Sequence, residues 1–288
     1  MAATLPSLKS RRPGTAQDLV RPRLEIDGDV LGEALRTLIA GCEPMGGVER
    51  YVVALKLKTS LYAEAFAGGV DSLTRQAFLQ LCTFMPTARR RIALYVDDEH
   101  FPAMRTALAR LIDGDPLSSD ARIAAFCANY PQDKEHRFVR DVAAETLHWL
   151  FPEDYPLMAR WVWDAKANSG VLRELWHGED VDHIKIDVPD GYATHLMLRE
   201  ELAAWLTGQG VFADVLHYVD MLCAQVYANY ICAQGGTYLR TDFTAPEDPM
   251  QHTRRMLGLD GVRPGSNKTR LKAIDGEAFV IDDTTLLS

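Results

Sequence analysis

The sequence predicts a mainly α protein, a multi-helix, bundle-like globular domain of about nine or ten helices. Three features predict it. Apolar residues recur at helical spacing through most of residues 27–240. Glycine pairs and prolines punctuate those runs where helices should stop. Only residues 183–188, HIKIDV, alternate in the manner of a strand.

Taken in order, Val30, Leu31, Ala34, Leu35, Leu38 and Ile39 keep one apolar face behind Asp27-Gly28-Asp29, a helix-start signal. Tyr51, Val52, Leu55, Tyr62 and Phe66 do the same for residues 48–67, which Gly68-Gly69 terminates. Asp71 or Ser72 can cap a third helix running through Met85, and TARRRIALYV after Pro86 reads as a fourth. The acidic run Asp97-Asp98-Glu99-His100 precedes Pro102, where capping of the next helix is the expected role. That helix carries Met104, Leu108, Leu111 and Ile112 and ends at Asp113-Gly114-Asp115-Pro116. Ser119 or Asp120 starts another, which Pro131 closes, and residues 133–151 form the next.

FPEDYP is a proline-bounded corner, followed by LMARWVWDAKAN and a short turn at VLRELWH. Pro189-Asp190-Gly191 is a turn signal after the strand-like stretch. Helices resume at 192–207 and 212–234. The second has a wide apolar stripe from Val215 to Ile231, the mark of a central bundle helix. A short helix is expected near HTRRMLGL. The division expected is a flexible basic arm at 1–26, a helical domain at 27–240 that can subdivide near 152–191, and a polar, largely irregular extension at 241–288.

Composition is that of an ordinary globular chain, 47% hydrophobic and 25% charged, with no apolar run of membrane-spanning length. The first residues carry Arg11-Arg12 without a following apolar run, which fits neither a Sec nor a twin-arginine signal. The five cysteines form no C-x-x-C pair and sit mostly in apolar helical contexts, as buried thiols of a reducing cytoplasm do. The formal net charge is −9, yet both ends are basic. An acidic body argues against a broad nucleic-acid face but leaves basic arms free to act as one. Arg11, Arg12, Lys268, Arg270 and Lys272 are the residues for that role.

Chemistry concentrates in residues 145–177, which hold four of the five tryptophans between Glu145-x-x-His148 and Glu174-x-x-His177. Glu and His three apart share a helix face, and two such pairs make half the ligand set of a di-iron bundle. Asp141 extends the first pair one turn back, so Asp141, Glu145, His148, Glu174 and His177 are the candidate ligands for iron or manganese. Against this, the second pair sits in a segment too short for a bundle helix. Arg137 and Asp141 also read as an ordinary i, i+4 ion pair on a hydrophilic face.

Asp214, His217 and Asp220 share one helix surface, usually a solvated cluster. No phosphate-binding glycine loop, nucleotide-binding strand–turn–helix or nucleophile elbow is present. Trp161 and Trp163, two apart, would point to opposite sides of a helix. The edge Arg160-Trp161-Val162-Trp163-Asp164 is therefore the expected partner surface. The leading expectation is a cytoplasmic accessory, adaptor or regulatory protein with no cofactor and no membrane contact. It would act through a protein partner or a second copy of itself. A metal-dependent helical enzyme and nucleic-acid binding by the arms are the alternatives.

Overall fold

In a computed structural model of the chain, residues 22–177, 185–238, 249–263 and 265–281 are described. Arg11, Arg12 and the first two residues of HIKIDV lie outside them. The described residues form ten α-helices and one two-stranded sheet, so the fold is mainly α. No helix among them is long and apolar enough to cross a membrane.

Local signals start the helices. Asp27 Oδ1 accepts from the amides of Asp29 and Val30 and caps α1, Gly28–Cys42. Helix α2 spans Val48–Ala65. Thr74 caps α3, Arg75–Thr83, a shorter helix than the capping signal at residues 71–72 predicts. Val70–Ser72 is a separate 3-10 turn. TARRRIALYV is not a fourth helix either; after turns it holds only the 3-10 segment Ile92–Tyr95. The acidic run does not cap α4, Phe101–Ile112, whose N-cap is His100 without a side-chain hydrogen bond; Asp97 instead accepts from the His100 amide at 2.7 Å in the turn before it. Helices α5, Ser119–Cys127, and α6, Phe138–Leu150, follow. Pro152 closes α6, because proline cannot donate to the preceding turn.

Helix α7 is a single turn, Val171–Glu174. Helix α8 spans Tyr192–Gly208, α9 Val215–Tyr238 and α10 Pro249–Met256. Helix α9 is central, as its stripe predicts: it packs against α1, α2, α7, α8 and α10. Helix α6 is enclosed by α2, α4 and α5, so α2 lies between the two groups. One hydrophobic core runs from Leu31 to Leu271, through the 157–188 region as well.

Two regions are extended. The first is an unpaired segment, a reading that the sequence, with no partner strand in it, leaves as open as a strand; the second departs from the expectation. Residues 185–190 carry no strand pairing; Ile186 and Val188 are buried, and the Ile186 amide donates to Asn168 Oδ1 instead. The sheet lies in the expected irregular extension, where β1, Lys268–Lys272, pairs antiparallel with β2, Ala278–Val280. Strand β1 buries Thr269 and Leu271 and exposes the residues between. Gly258 (φ +74) lets the chain after α10 press against Phe84, since a Cβ there would collide with the Phe84 carbonyl oxygen.

Candidate functional site

Helix α6 is the most unusual element chemically. Of its residues all but Arg140 are buried, including Asp141, Glu145 and His148, which form one stripe. Buried charge requires a partner, and each of the three finds a different one.

Asp141 Oδ1 accepts from the Arg160 amide at 3.0 Å, and its Oδ2 accepts from Arg160 Nε at 3.2 Å and Nη2 at 2.7 Å. Arg137, the partner expected for Asp141, turns outward to Asp164 Oδ2 at 2.6 Å. A local i, i+4 pair is thus replaced by two pairs that clamp α6 to the 160–164 segment.

One turn along, Glu145 Oε2 meets Lys58 Nζ at 3.5 Å and accepts from Trp149 Nε1 at 3.3 Å. Lys58, on α2, donates also to Phe84 O at 3.0 Å and Leu257 O at 2.9 Å, and its ammonium lies 4.0 Å from the Trp149 ring centre. That geometry satisfies all three ammonium protons and adds a cation–π contact. Burial lowers the Lys58 pKa to about 8, with Glu145 opposing the shift. Burial raises that of Glu145, opposed mainly by Lys58.

At the end of the stripe, His148 Nδ1 lies 2.9 Å from Tyr155 O and Nε2 lies 3.1 Å from Asp220 Oδ2 on α9. Both ring nitrogens face acceptors. Since a carbonyl can only accept, Nδ1 carries the hydrogen directed at Tyr155 O, which leaves Nε2 facing the Asp220 carboxylate. A cavity of about 260 Å³ reaches Asp220, His217 and Trp149 from the surface at the start of α9. Burial lowers the pKa of His217 there.

The second Glu-x-x-His pair is elsewhere. Glu174 is half-buried in α7 and acts electrostatically on Tyr227. His177 is exposed; its Nδ1 lies 3.2 Å from Asp27 Oδ2, and its amide donates to Glu25 O at 2.7 Å. The five expected iron or manganese ligands therefore do not form one donor set. Among the described residues, no group of three or more His, Cys, Asp or Glu side chains is arranged to share a metal ion.

The RWVWD edge is not a surface helix but a tight loop. Asp164 and Ser169 exchange backbone hydrogen bonds, and Val171 and Leu172 donate to the Trp161 and Val162 carbonyls. Both indoles turn inward. Trp163 is fully buried and donates through Nε1 to Val188 O at 3.0 Å, while Trp161, also buried, packs against Tyr227. The loop lies between α6, α9 and the 185–188 segment, so opposite directions from it both meet protein.

Its charged members, Arg160 and Asp164, line a cleft of about 890 Å³. Ala124, Cys127 and Pro131 contribute accessible apolar lining, and the buried Ile123, Val139 and Met158 form its floor. Cations outnumber acids along the walls: Lys134, Arg137, Arg140, Arg160 and Lys166 against Asp120, Asp133, Asp164 and Asp190. The acids are all engaged. Asp120 accepts from the Tyr192 amide, Asp133 from the Glu135 and His136 amides, Asp164 pairs with Arg137, and Asp190 lies 3.5 Å from Arg140. Lys134 and Lys166 are exposed and have no hydrogen bond or ion pair among the described residues.

The sequence reading missed this cleft because its walls come from separate segments. The one signal available was that Arg160 and Asp164 flank the tryptophans. Comparison with protein families, curated proteins and solved structures returns no match for this chain.

Proposed function

We propose that the protein is a non-catalytic accessory protein that holds an acidic segment of a partner polypeptide in the cleft between α5, α6 and the 158–166 loop. The observation that carries this reading is the unbalanced charge of that cleft. Its four carboxylates are engaged by the fold, whereas Lys134 and Lys166 are left exposed beside an apolar lining. An extended segment would place apolar side chains on Ala124, Cys127 and Pro131 and carboxylates on the two lysines. The charges of the α6 stripe, by contrast, are each held by a partner from another segment, Arg160, Lys58 or Asp220, which supports a structural role for them.

Selection of peptides from a random display library against the full chain tests the proposal. Enriched peptides should be rich in Asp and Glu and should bind at least about tenfold more weakly to Lys134→Glu/Lys166→Glu, the loss of roughly 1.4 kcal/mol. The lysines are exposed and hold no hydrogen bond or ion pair among the described residues, so the variant should keep the native circular dichroism. Peptides that bind the variant as tightly as the native chain, or an absence of enrichment, would overturn the proposal.

A further inference from the structure

A second basic surface, away from the cleft lining, is assembled from three stretches far apart in sequence. Strand β1 exposes Lys268, Arg270 and Lys272 while Thr269 and Leu271 face inward. Its edge is tied to the 89–91 turn, because the Lys272 amide donates to Arg89 O at 3.1 Å. It is tied to the segment after α10 as well, through Arg270 N to Gly261 O at 2.9 Å. Arg90 follows Arg89 and is exposed, and Arg255 closes α10 nearby.

At the centre stands Asp260. Arg89 grips it with both Nη atoms at 2.8 and 2.9 Å, and Arg270 Nε and Arg255 Nε lie 3.7 and 3.8 Å from its Oδ2. One carboxylate, itself mostly buried, thus faces three guanidinium groups, and positive charge is left over. Lys268, Lys272 and Arg90 have no side-chain partner among the described residues. The only carboxylates on the hairpin, Asp275 and Glu277, lie in the turn beyond Lys272.

The structure assigns to this face, built from β1, the 89–91 turn and Arg255, the binding of a nucleic-acid phosphate backbone. Alternate residues of a strand lie about 6.8 Å apart. This is about twice the roughly 3.4 Å rise per charge that one duplex strand makes along the helix axis. Cations spread along this strand, which is irregular between Lys268 and Lys272, and across to Arg90 and Arg255 suit an extended polyanion better than a single anion. The hairpin aromatic, Phe279, packs against the core and offers no stacking platform. Recognition therefore goes to phosphate, without base readout. The formal charge of −9 makes this a positive face on an acidic protein, which orients an approaching polyanion.

Fluorescence anisotropy of a labelled, mixed-sequence DNA duplex with the full chain, at salt from about 50 to 200 mM, tests this. The native chain should bind, with affinity falling steeply as salt rises. The variant Arg90→Ala/Lys268→Ala/Lys272→Ala should reduce the slope of log K against log salt by about 2–3 and weaken binding at least about tenfold at 0.1 M salt. Lack of binding by the native chain at 50 mM salt, or an unchanged slope in the triple variant, overturns the assignment. Loss of binding in Arg11→Ala/Arg12→Ala with the triple variant unaffected also overturns it, as does binding to phosphatidylserine vesicles but not to the duplex.

Discussion

Glu145-x-x-His148 and Glu174-x-x-His177 share a spacing and have opposite surroundings. The first pair lies on a helix enclosed by protein, with side chains 3% exposed or less. Each member is joined to a different helix. The second lies at the edge of the fold, where the His177 side chain is 72% exposed and ties the chain back to Asp27. Spacing along a helix fixes the direction in which two side chains point, but burial decides what those side chains must do. At the enclosed end a lost partner strands a charge in a poorly hydrated interior. At the open end water takes the partner's place.

The largest expected effect comes from breaking a partnership at the enclosed end. Lys58→Met removes the ammonium from Glu145 and leaves a buried carboxylate with Trp149 Nε1 as its remaining donor. A loss of about 3–5 kcal/mol is expected in urea unfolding. Adding Glu145→Gln removes the stranded charge while keeping an acceptor for Trp149. The double variant should therefore be at least about 1 kcal/mol more stable than Lys58→Met alone. A single-variant loss below about 1 kcal/mol would show that the pair does not hold α2 to α6.

His195 sharpens the comparison, because it is buried with no carboxylate in contact among the described residues; Asp190 acts on it only at a distance. Its Nδ1–H donates to Gly191 O at 2.9 Å, and its Nε2 has no partner. Burial lowers its pKa from 6.5 to about 4; the Gly191 hydrogen bond opposes this and Arg140 adds to it. The unfolded chain therefore binds the proton first as pH falls. The stabilising contribution is complete above about 6.5 and is lost as pH drops toward 4, by an amount on the order of 3 kcal/mol. Urea unfolding at pH 7 and pH 4.5 should show a smaller acid loss in His195→Leu than in the native chain. Equal losses in both would mean that the imidazole is hydrated in the native state.

Between the two ends runs the tryptophan segment, held by the Trp163 hydrogen bond to Val188 O. Trp163→Phe keeps most of the ring volume and strands that carbonyl, for an expected loss of about 1–2 kcal/mol in the same unfolding measurement. Faster amide exchange in residues 185–190 should accompany it. Unchanged exchange there would show that Asn168, and not the indole, fixes the segment.

The helical fold was legible because it rests on local chemistry. Asp27 supplies the acceptor that the start of α1 needs, and the α9 stripe needs only periodicity to be read. The partners of the α6 stripe were not legible. Lys58 is 87 residues from Glu145 and Asp220 is 72 from His148, and no local pattern records such distances. Arg137–Asp141 shows the converse: the local rule offered a sound pair, and tertiary packing gave each residue a different partner. The β1–β2 hairpin had a signal that went unread. Asp275-Gly276 is a favoured turn, and Thr269 and Leu271 alternate with charged residues before it.

The smallest expected effect is at the open end, and it tests whether exposure alone accounts for the contrast. His177→Ala should change stability by no more than about 0.5 kcal/mol, because an ion pair in water gains little over hydration. Asp27 has a second task, since its Oδ1 caps α1 while its Oδ2 meets His177. Asp27→Ala should therefore cost about 1 kcal/mol, mostly through the lost cap, and Asp27→Asn should recover most of that loss. If His177→Ala proved as damaging as Asp27→Ala, the edge contact would be a structural clasp. Burial would then no longer be what separates the two Glu-x-x-His pairs.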